Sequence, residues 1–262
     1  MKLNVNSNLY TFVFASIMVL VVAALLAFAA TGLKTQQDAN VNMEKKQNIL
    51  MSLGMDISRE EAESLYSEVI VEEIVIQNGN PLDGGILAFS INMADEIKKP
   101  VAERTLPLFV ANYKGITSYI VPLRGKGLWG PIWGYVALKE DMSTVVGATF
   151  GHKSETPGLG AEISTPIFQD QFPGKEIMES GSFVSISVRK GDAQGKHQVD
   201  GISGGTITSV GVDDMLKDCL SGYITYFNSK KNLSIPVSSP PTESMADSTD
   251  AQTEIQTNVS LL

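Results

Sequence analysis

The chain has a single cysteine, Cys219, and two histidines, His152 and His197, in 262 residues. One thiol excludes an internal disulfide framework. It also excludes a four-cysteine zinc site or a conventional iron–sulfur cluster built by this chain alone. Two histidines leave little room for His-rich metal chemistry. Charged residues are scarce as well, 19% against the roughly 25% usual in soluble domains. Lys and Arg total 20 against 29 Asp and Glu, a net charge of −9. That sign repels phosphate backbones and argues against a nucleic-acid partner.

The shortage of charge is concentrated near the N-terminus. Residues 9–30 read LYTFVFASIMVLVVAALLAFAA, with no group that ionises near neutral pH. As a helix this run is about 33 Å long, enough to cross a hydrocarbon core of about 30 Å. A cleaved signal peptide is the alternative, since Ala27-Phe28-Ala29 has the A-x-A form. The run exceeds the usual apolar region of about 7–15 residues, and only Lys2 precedes it. The reading is a retained transmembrane helix over residues 9–31 behind a short segment, 1–8. Lys34, Lys45 and Lys46 follow the span. This small excess favours a cytoplasmic body by the positive-inside rule. A span without charge is a poor ion pathway and reads as an anchor.

Beyond the anchor, residues 42–53 form a short amphipathic stretch that reads as a helix ended by Gly54. Ser58 with Glu61 three residues later is a capping-box pattern that opens a second helix. Residues 69–76 (VIVEEIVI) read as a strand and residues 78–85 as a loop. From Leu106 short apolar runs recur (LPLFVANY, TSYIVPL, GYVALKE, TVVGATF), and Tyr113-Lys114-Gly115 reads as a hairpin turn. A helix is expected over 160–172, a half-buried strand over 183–189, and a last helix from about Ser209 to Phe227. Residues 236–262 carry four acidic side chains and no Lys or Arg, the composition of a disordered tail. About 200 residues, 32–235, remain for one α+β domain with its own core. Cys219 reads as a small buried apolar residue in the last helix, Trp133 as core, and His197 has no identifiable partner.

Two motif matches fail on context. Residues 125–130 (GKGLWG) fit G-x-G-x-x-G, but Pro131 and a strand-like IWGYVAL follow, so no helix opens onto a pyrophosphate. The plain reading is a Gly-rich loop that lets Trp129 and Trp133 pack closely. Residues 201–205 (GISGG) fit G-x-S-x-G. Both histidines precede Ser203, whereas an α/β-hydrolase triad places its histidine after the serine; triads of other folds use other orders.

A better reading of the same region starts from residues 200–209, DGISGGTITS. Gly204 and Gly205 free the backbone to turn successive N–H groups inward. Ser203, Thr206, Thr208 and Ser209 cluster there, and a following helix aims its positive dipole end at the loop. Such a turn suits a phosphate group; an ordinary capping turn has the same composition.

The segment is similar to the flavinylation motif D-x-x-S/T-G-A-T, with Asp200, Ser203, Gly204 and Thr206 in place and Gly205 where alanine is usual. Two further stretches, GLWGPIWGYVAL (127–138) and HKSETPGLG (152–160), resemble those of the C subunit of sodium-translocating NADH:quinone oxidoreductases. ETPGLG and the flavinylation motif also occur in the G subunit of the Rnf complex. The anchor and the motifs follow the family's order. The resemblance implies a single transmembrane helix followed by one extracytoplasmic FMN-binding domain of α+β class, with an antiparallel sheet and flanking helices. It implies FMN joined to Thr206 through a phosphoester, made by a separate flavin transferase. Leu128 and Trp129 would supply apolar surface to the ring. Thr156 and loop N–H groups would bond its polar edge, with Gly158 and Gly160 allowing close approach and Leu159 packing on the ring. Glu155 and His152 read either as groups near the flavin or as surface charge and loop hydrogen bonding.

The resemblance further implies a carrier that relays electrons from NADH towards ubiquinone within a bacterial inner-membrane complex. The other subunits would carry NADH oxidation, quinone reduction and most ion translocation. It sets the flavin domain on the outer, periplasmic side, against the small charge count. Two alternatives stand beside it: a G-type Rnf subunit exchanging electrons between ferredoxin and NAD, and an anchored binding protein without a cofactor.

Overall fold

In the computed structural model, which describes residues 7–234, the chain opens with one uninterrupted helix, α1 (Asn8–Met51). The expected anchor and the amphipathic stretch are therefore one helix of 44 residues, about 66 Å long. No Pro or turn signal separates them; Gly32, in open space, is tolerated within the helix at modest cost. The boundary expected at residue 31 falls inside it. Residues 11–39 are exposed throughout. The apolar part is long and apolar enough to cross a membrane. The first six residues and the acidic stretch 236–262 lie outside the described residues.

Helix α2 (Arg59–Val69) begins at the expected capping box: Glu61 N–H donates to Ser58 Oγ, and Ser58 N–H to Glu61 Oε2 at 2.8 Å. Replacing this cap removes a partner from an otherwise unsatisfied helix N–H. Ser58→Ala is expected to cost about 1 kcal/mol, read as a lowered midpoint in a urea titration of the domain.

Strand β1 (Ile70–Gln77) follows, then β2 (Asn80–Pro81), a short helix α3 (Met93–Glu96), β3 (Thr105–Tyr113), β4 (Ile116–Lys126), β5 (Pro131–Lys139) and β6 (Val145–His152). They form one antiparallel sheet in the order β2-β1-β3-β4-β5-β6. The β3–β4 turn is the expected one, with positive φ at Lys114 (52°) and Gly115 (77°), the geometry a tight hairpin needs. The sheet is covered on both faces, which is why its strands read as nearly continuous apolar runs. Leu106, Leu108, Val121, Leu123, Ile132 and Val136 face one cluster. Phe109, Ala111, Ile120, Tyr135 and Ala137 face the other, against Ile49 and Leu50 of α1 and Ala62 and Tyr66 of α2.

The remaining elements are α4 (Pro166–Gln169), β7 (Met178–Glu179), β8 (Ser182–Phe183), β9 (Ser187–Arg189), β10 (Gln198–Asp200), α5 (Thr206–Ser221) and α6 (Ile224–Ser234). Three expectations change here. The helix expected over 160–172 is a 3-10 turn (Gly160–Ser164) followed by the one-turn α4. Pro166 supplies no N–H and holds Thr165 extended, so the two cannot join. The strand expected over 183–189 is split into β8 and β9 by Ser185, whose φ is 64°; the N–H groups of Val184 and Ser185 both turn onto the Ile177 carbonyl. The last helix starts earlier, at Thr206, and breaks after Ser221. At the break, the Tyr223 hydroxyl donates to the Pro107 carbonyl at 2.7 Å, and a Cβ on Gly222 would come within 2.6 Å of Leu106.

Helix α1 runs alongside the strands. Glu44 lines one cavity with Arg124 and Trp133, the Asn48 carbonyl accepts from Thr149 Oγ1 at 3.0 Å, and Ser52 abuts Gly147. Since β5 pairs Tyr135 with Thr149 and Ala137 with Gly147, the helix climbs the sheet from the Arg124–Trp133 level towards the β5–β6 turn. The opposite strand ends, which carry the loop between Lys126 and Pro131, point back towards the anchor. Lys45 helps fix α1 to the body: its ammonium donates to the Phe89 carbonyl and lies 4.2 Å from that ring's centroid. Burial lowers its pKa to about 8 against the opposing pull of Glu73.

Candidate flavin site

Three chain segments meet at the anchor-facing end of the sheet: the β4–β5 hairpin (127–130), the loop after β6 (153–160) and the turn into α5 (201–206). At their junction is Glu155, only 4% exposed. Its Oε1 accepts from Trp129 N–H at 2.9 Å, and its Oε2 from the Thr208 hydroxyl at 2.6 Å. The backbone N–H groups of Leu128 and Gly130 also favour its charged form. Burial opposes ionisation, but the Thr208 hydroxyl and these three backbone groups outweigh it and hold the carboxyl below its usual range. A depressed pKa contributes stability above the ordinary carboxyl value, and that contribution is lost as pH falls through the lowered one. Acid unfolding of the wild-type domain is therefore expected to be steeper below about pH 4.5 than that of Glu155→Gln, measured by circular dichroism; equal slopes would contradict the assignment.

Glycines make this junction possible. A Cβ on Gly127 would stand 2.6 Å from Glu155 Oε1, and one on Gly160 2.4 Å from Thr208 Oγ1. Gly204, at φ 76°, has Leu159 Cδ2 where a Cβ would be, at 2.7 Å. Leu159 of the second loop thus rests on the turn of the third. Gly205 takes the N-cap position of α5 without a side-chain cap bond, so the first-turn N–H groups have no side-chain acceptor.

The four clustered hydroxyls separate. Thr208 and Ser209 are buried; Thr208 donates to Glu155, and Ser209 Oγ accepts from Ile202 N–H at 2.9 Å. Ser203 and Thr206 are exposed. Thr206 is the first residue of α5 and not part of the preceding loop. Leu128 (47%) and Trp129 (64%) of the hairpin and Leu159 (41%) of the second loop expose apolar surface. Thr156 is exposed beside Gly158, its carbonyl accepting from Leu159 and Ala161 N–H.

The Asp200 side chain is not drawn into this group. Its Oδ1 accepts from Ala193 N–H, and its backbone is bound by Gln171 on both sides. His152 Nδ1 accepts from Glu155 N–H at 3.2 Å, the loop-bonding reading. The histidine also lines a cavity of about 270 Å³ with Glu44 and Trp133. Trp129 and Trp133 do not pack together as expected: Trp129 is exposed, while half-buried Trp133 lies under the Arg124 guanidinium at 5.6 Å and against Gly151. Cys219 is buried as expected, with its Sγ on the Arg124 backbone. His197 has a partner after all, the Glu176 carbonyl at 2.6 Å from Nδ1. Among the described residues no cluster of His, Cys, Asp and Glu could hold a metal ion.

Sequence reasoning misses Ile207 (58% exposed) and Val210 (52%). Both lie off the buried stripe of α5, beside Thr206. Exposed apolar residues three apart on a helix whose core stripe is elsewhere are the signal that could have found them.

Residues 127–221, which span all three segments, match the family model described as FMN-binding domain. This is a flavin mononucleotide-binding domain carried on an N-terminal apolar helix. The chain is similar to the C subunit of the Na(+)-translocating NADH-quinone reductase of Haemophilus ducreyi, 31% identical over 233 residues, covering 82% of this chain and 91% of that protein. The corresponding protein of Vibrio alginolyticus is 33% identical over 215 residues, covering 74% and 82%. The crystal structure of the C subunit from Parabacteroides distasonis superposes with a TM-score of 0.69 at 44% identity, over 74% of this chain and 96% of that one. The chain belongs to the family of C subunits of sodium-translocating NADH-quinone reductases. Other subunits of a membrane complex are therefore expected, and the apolar helix fits a single-pass anchor.

Proposed function

We propose that this chain holds FMN through a phosphoester to Thr206 and relays electrons from NADH towards ubiquinone within that complex. The observation that carries the reading is the state of Thr206: an exposed hydroxyl on the first residue of a 16-residue helix whose N-terminus has no side-chain cap. The helix dipole and free N–H groups favour a phosphate there. Of the neighbouring hydroxyls, Thr208 and Ser209 are buried in bonds to the protein, so Ser203 is the one competitor. Gly204 and Gly205 bring the backbone close to the phosphate, and Leu128, Trp129, Thr156, Gly158 and Leu159 line the space next to it. Asp200 acts at a distance, bracing the loop that precedes the turn. Bound FMN supplies one-electron redox chemistry; the protein holds the ring, shields it and sets its potential.

The climb of α1 turns these loops towards the membrane, where the other subunits of the complex sit. We place the domain on the outer side of the inner membrane, as the family resemblance implies. An ordinary threonine hydroxyl is a weak nucleophile without a base beside it, so attachment falls to a separate flavin transferase. The test is intact mass after co-production with such a transferase, followed by peptide mapping. One FMN phosphoester on the peptide containing Thr206 is expected. An unmodified peptide, or the adduct on Ser203, would overturn the assignment.

A further inference from the structure

Glu155 does not present a free carboxylate to a ligand. One oxygen is taken by the hairpin and the other by Thr208, 53 positions along the chain. The Cα atoms of Gly127 and Gly160 close over the same two oxygens, leaving no room for a methyl group at either. Gly211, one turn further along α5 from Thr208, is pressed on the Lys126 carbonyl, which a Cβ would approach to 2.3 Å. The hairpin and the helix start are thus held in one arrangement by a buried, fully bonded anion and by backbone contact beside it. Charge-assisted bonds of this kind are the stronger ones, and a buried carboxylate deprived of a partner is costly.

We infer that Glu155 is a positioning residue. It locks the Leu128–Trp129 hairpin to the first turn of α5 and so fixes the surface on which the flavin lies relative to its point of attachment. The second half of this statement rests on attachment of FMN to Thr206; the lock itself does not. Thr208 is the other half of the lock. Among the described residues its hydroxyl is the side-chain donor to Glu155, the remaining donors being backbone N–H groups. Replacing it by valine keeps the shape while removing the bond.

The experiment has two arms. In the unloaded full-length protein, amide exchange is followed at Trp129 by mass spectrometry or NMR. Glu155→Gln and Thr208→Val are each expected to speed exchange by about tenfold or more. Because the two act through one bond, the double variant should exchange no faster than the worse single one. Thr208→Ser, which keeps the hydroxyl, should restore the wild-type rate. In the flavin-loaded protein, Glu155→Gln should leave the attached mass unchanged. It should shift the midpoint potential to more positive values, because a fixed negative charge near an electron-accepting ring is gone. It should also lower the flavin's fluorescence anisotropy.

Unchanged exchange in both single variants, or fully additive effects in the double one, would overturn the lock. Faster exchange with an unaltered potential and anisotropy would confine Glu155 to a structural role and overturn its part in holding the flavin. A wild-type protein that takes up no flavin would instead sink the attachment at Thr206 and leave the first arm standing. If Glu155→Gln does not fold, Thr208→Val carries the exchange arm and, in the flavin-loaded protein, the anisotropy readout, and unchanged values of both would overturn the proposal.

Discussion

Thr206→Ala is expected to abolish covalent flavin while leaving a folded, anchored protein. The wild-type peptide should fluoresce on a denaturing gel when the chain is made with a flavin transferase, and the variant should show no band. The effect on attachment is complete because no second oxygen can take over at the same place. Thr208 Oγ1 and Ser209 Oγ are bound to Glu155 and to the Ile202 N–H, and Ser203 lies across Gly204, where φ is 76° and the chain reverses. The effect on folding is small because Thr206 is exposed and opens the helix. There its methyl buries little, and the propensity difference favours alanine by about 0.5 kcal/mol. Ser203→Ala is the matched control and should keep the band. A fluorescent Thr206→Ala band would show that the phosphoester lies elsewhere.

Gly211→Ala should lower stability despite a local preference for the opposite. In an exposed helix interior this change favours folding by about 1 kcal/mol. Here the new methyl would sit 2.3 Å from the carbonyl oxygen of Lys126 and 3.3 Å from its carbon. Both are backbone atoms at the end of a paired strand, so neither can step aside as a side-chain tip would. Helix α5 must lift from β4, parting Thr208 from Glu155 and opening the core beneath Val212 and Met215. Overpacking of this kind costs about 3 kcal/mol, roughly 6–12 °C in melting temperature for a domain of this size. Gly84→Ala, with nothing within 4 Å, should leave the melt unchanged. A Gly211→Ala domain as stable as wild type would mean that α5 and β4 do not touch at this point. Because α5 starts at Thr206, the same displacement should also reduce flavin incorporation.

These two positions also show which parts of the molecule can be read without a fold. The apolar anchor, the capping box at Ser58, the Tyr113-Lys114-Gly115 turn and the flavin motif are each written in consecutive residues, and each acts through groups within a few positions of one another. Sequence alone therefore decides that there is a long apolar helix, a sheet rich in antiparallel hairpins, and a glycine turn leading into the helix that carries Thr206. It does not decide where α1 stops, because a helix continues until packing or a turn residue ends it. Nor does alternation reveal that residues 183–189 are interrupted at Ser185. Above all, four hydroxyls in one short run are indistinguishable until tertiary packing buries two of them. The same packing brings Glu155 from 53 positions away to claim Thr208. Such a contact depends on where two strands and a helix end in space, and no local pattern of residue types records that.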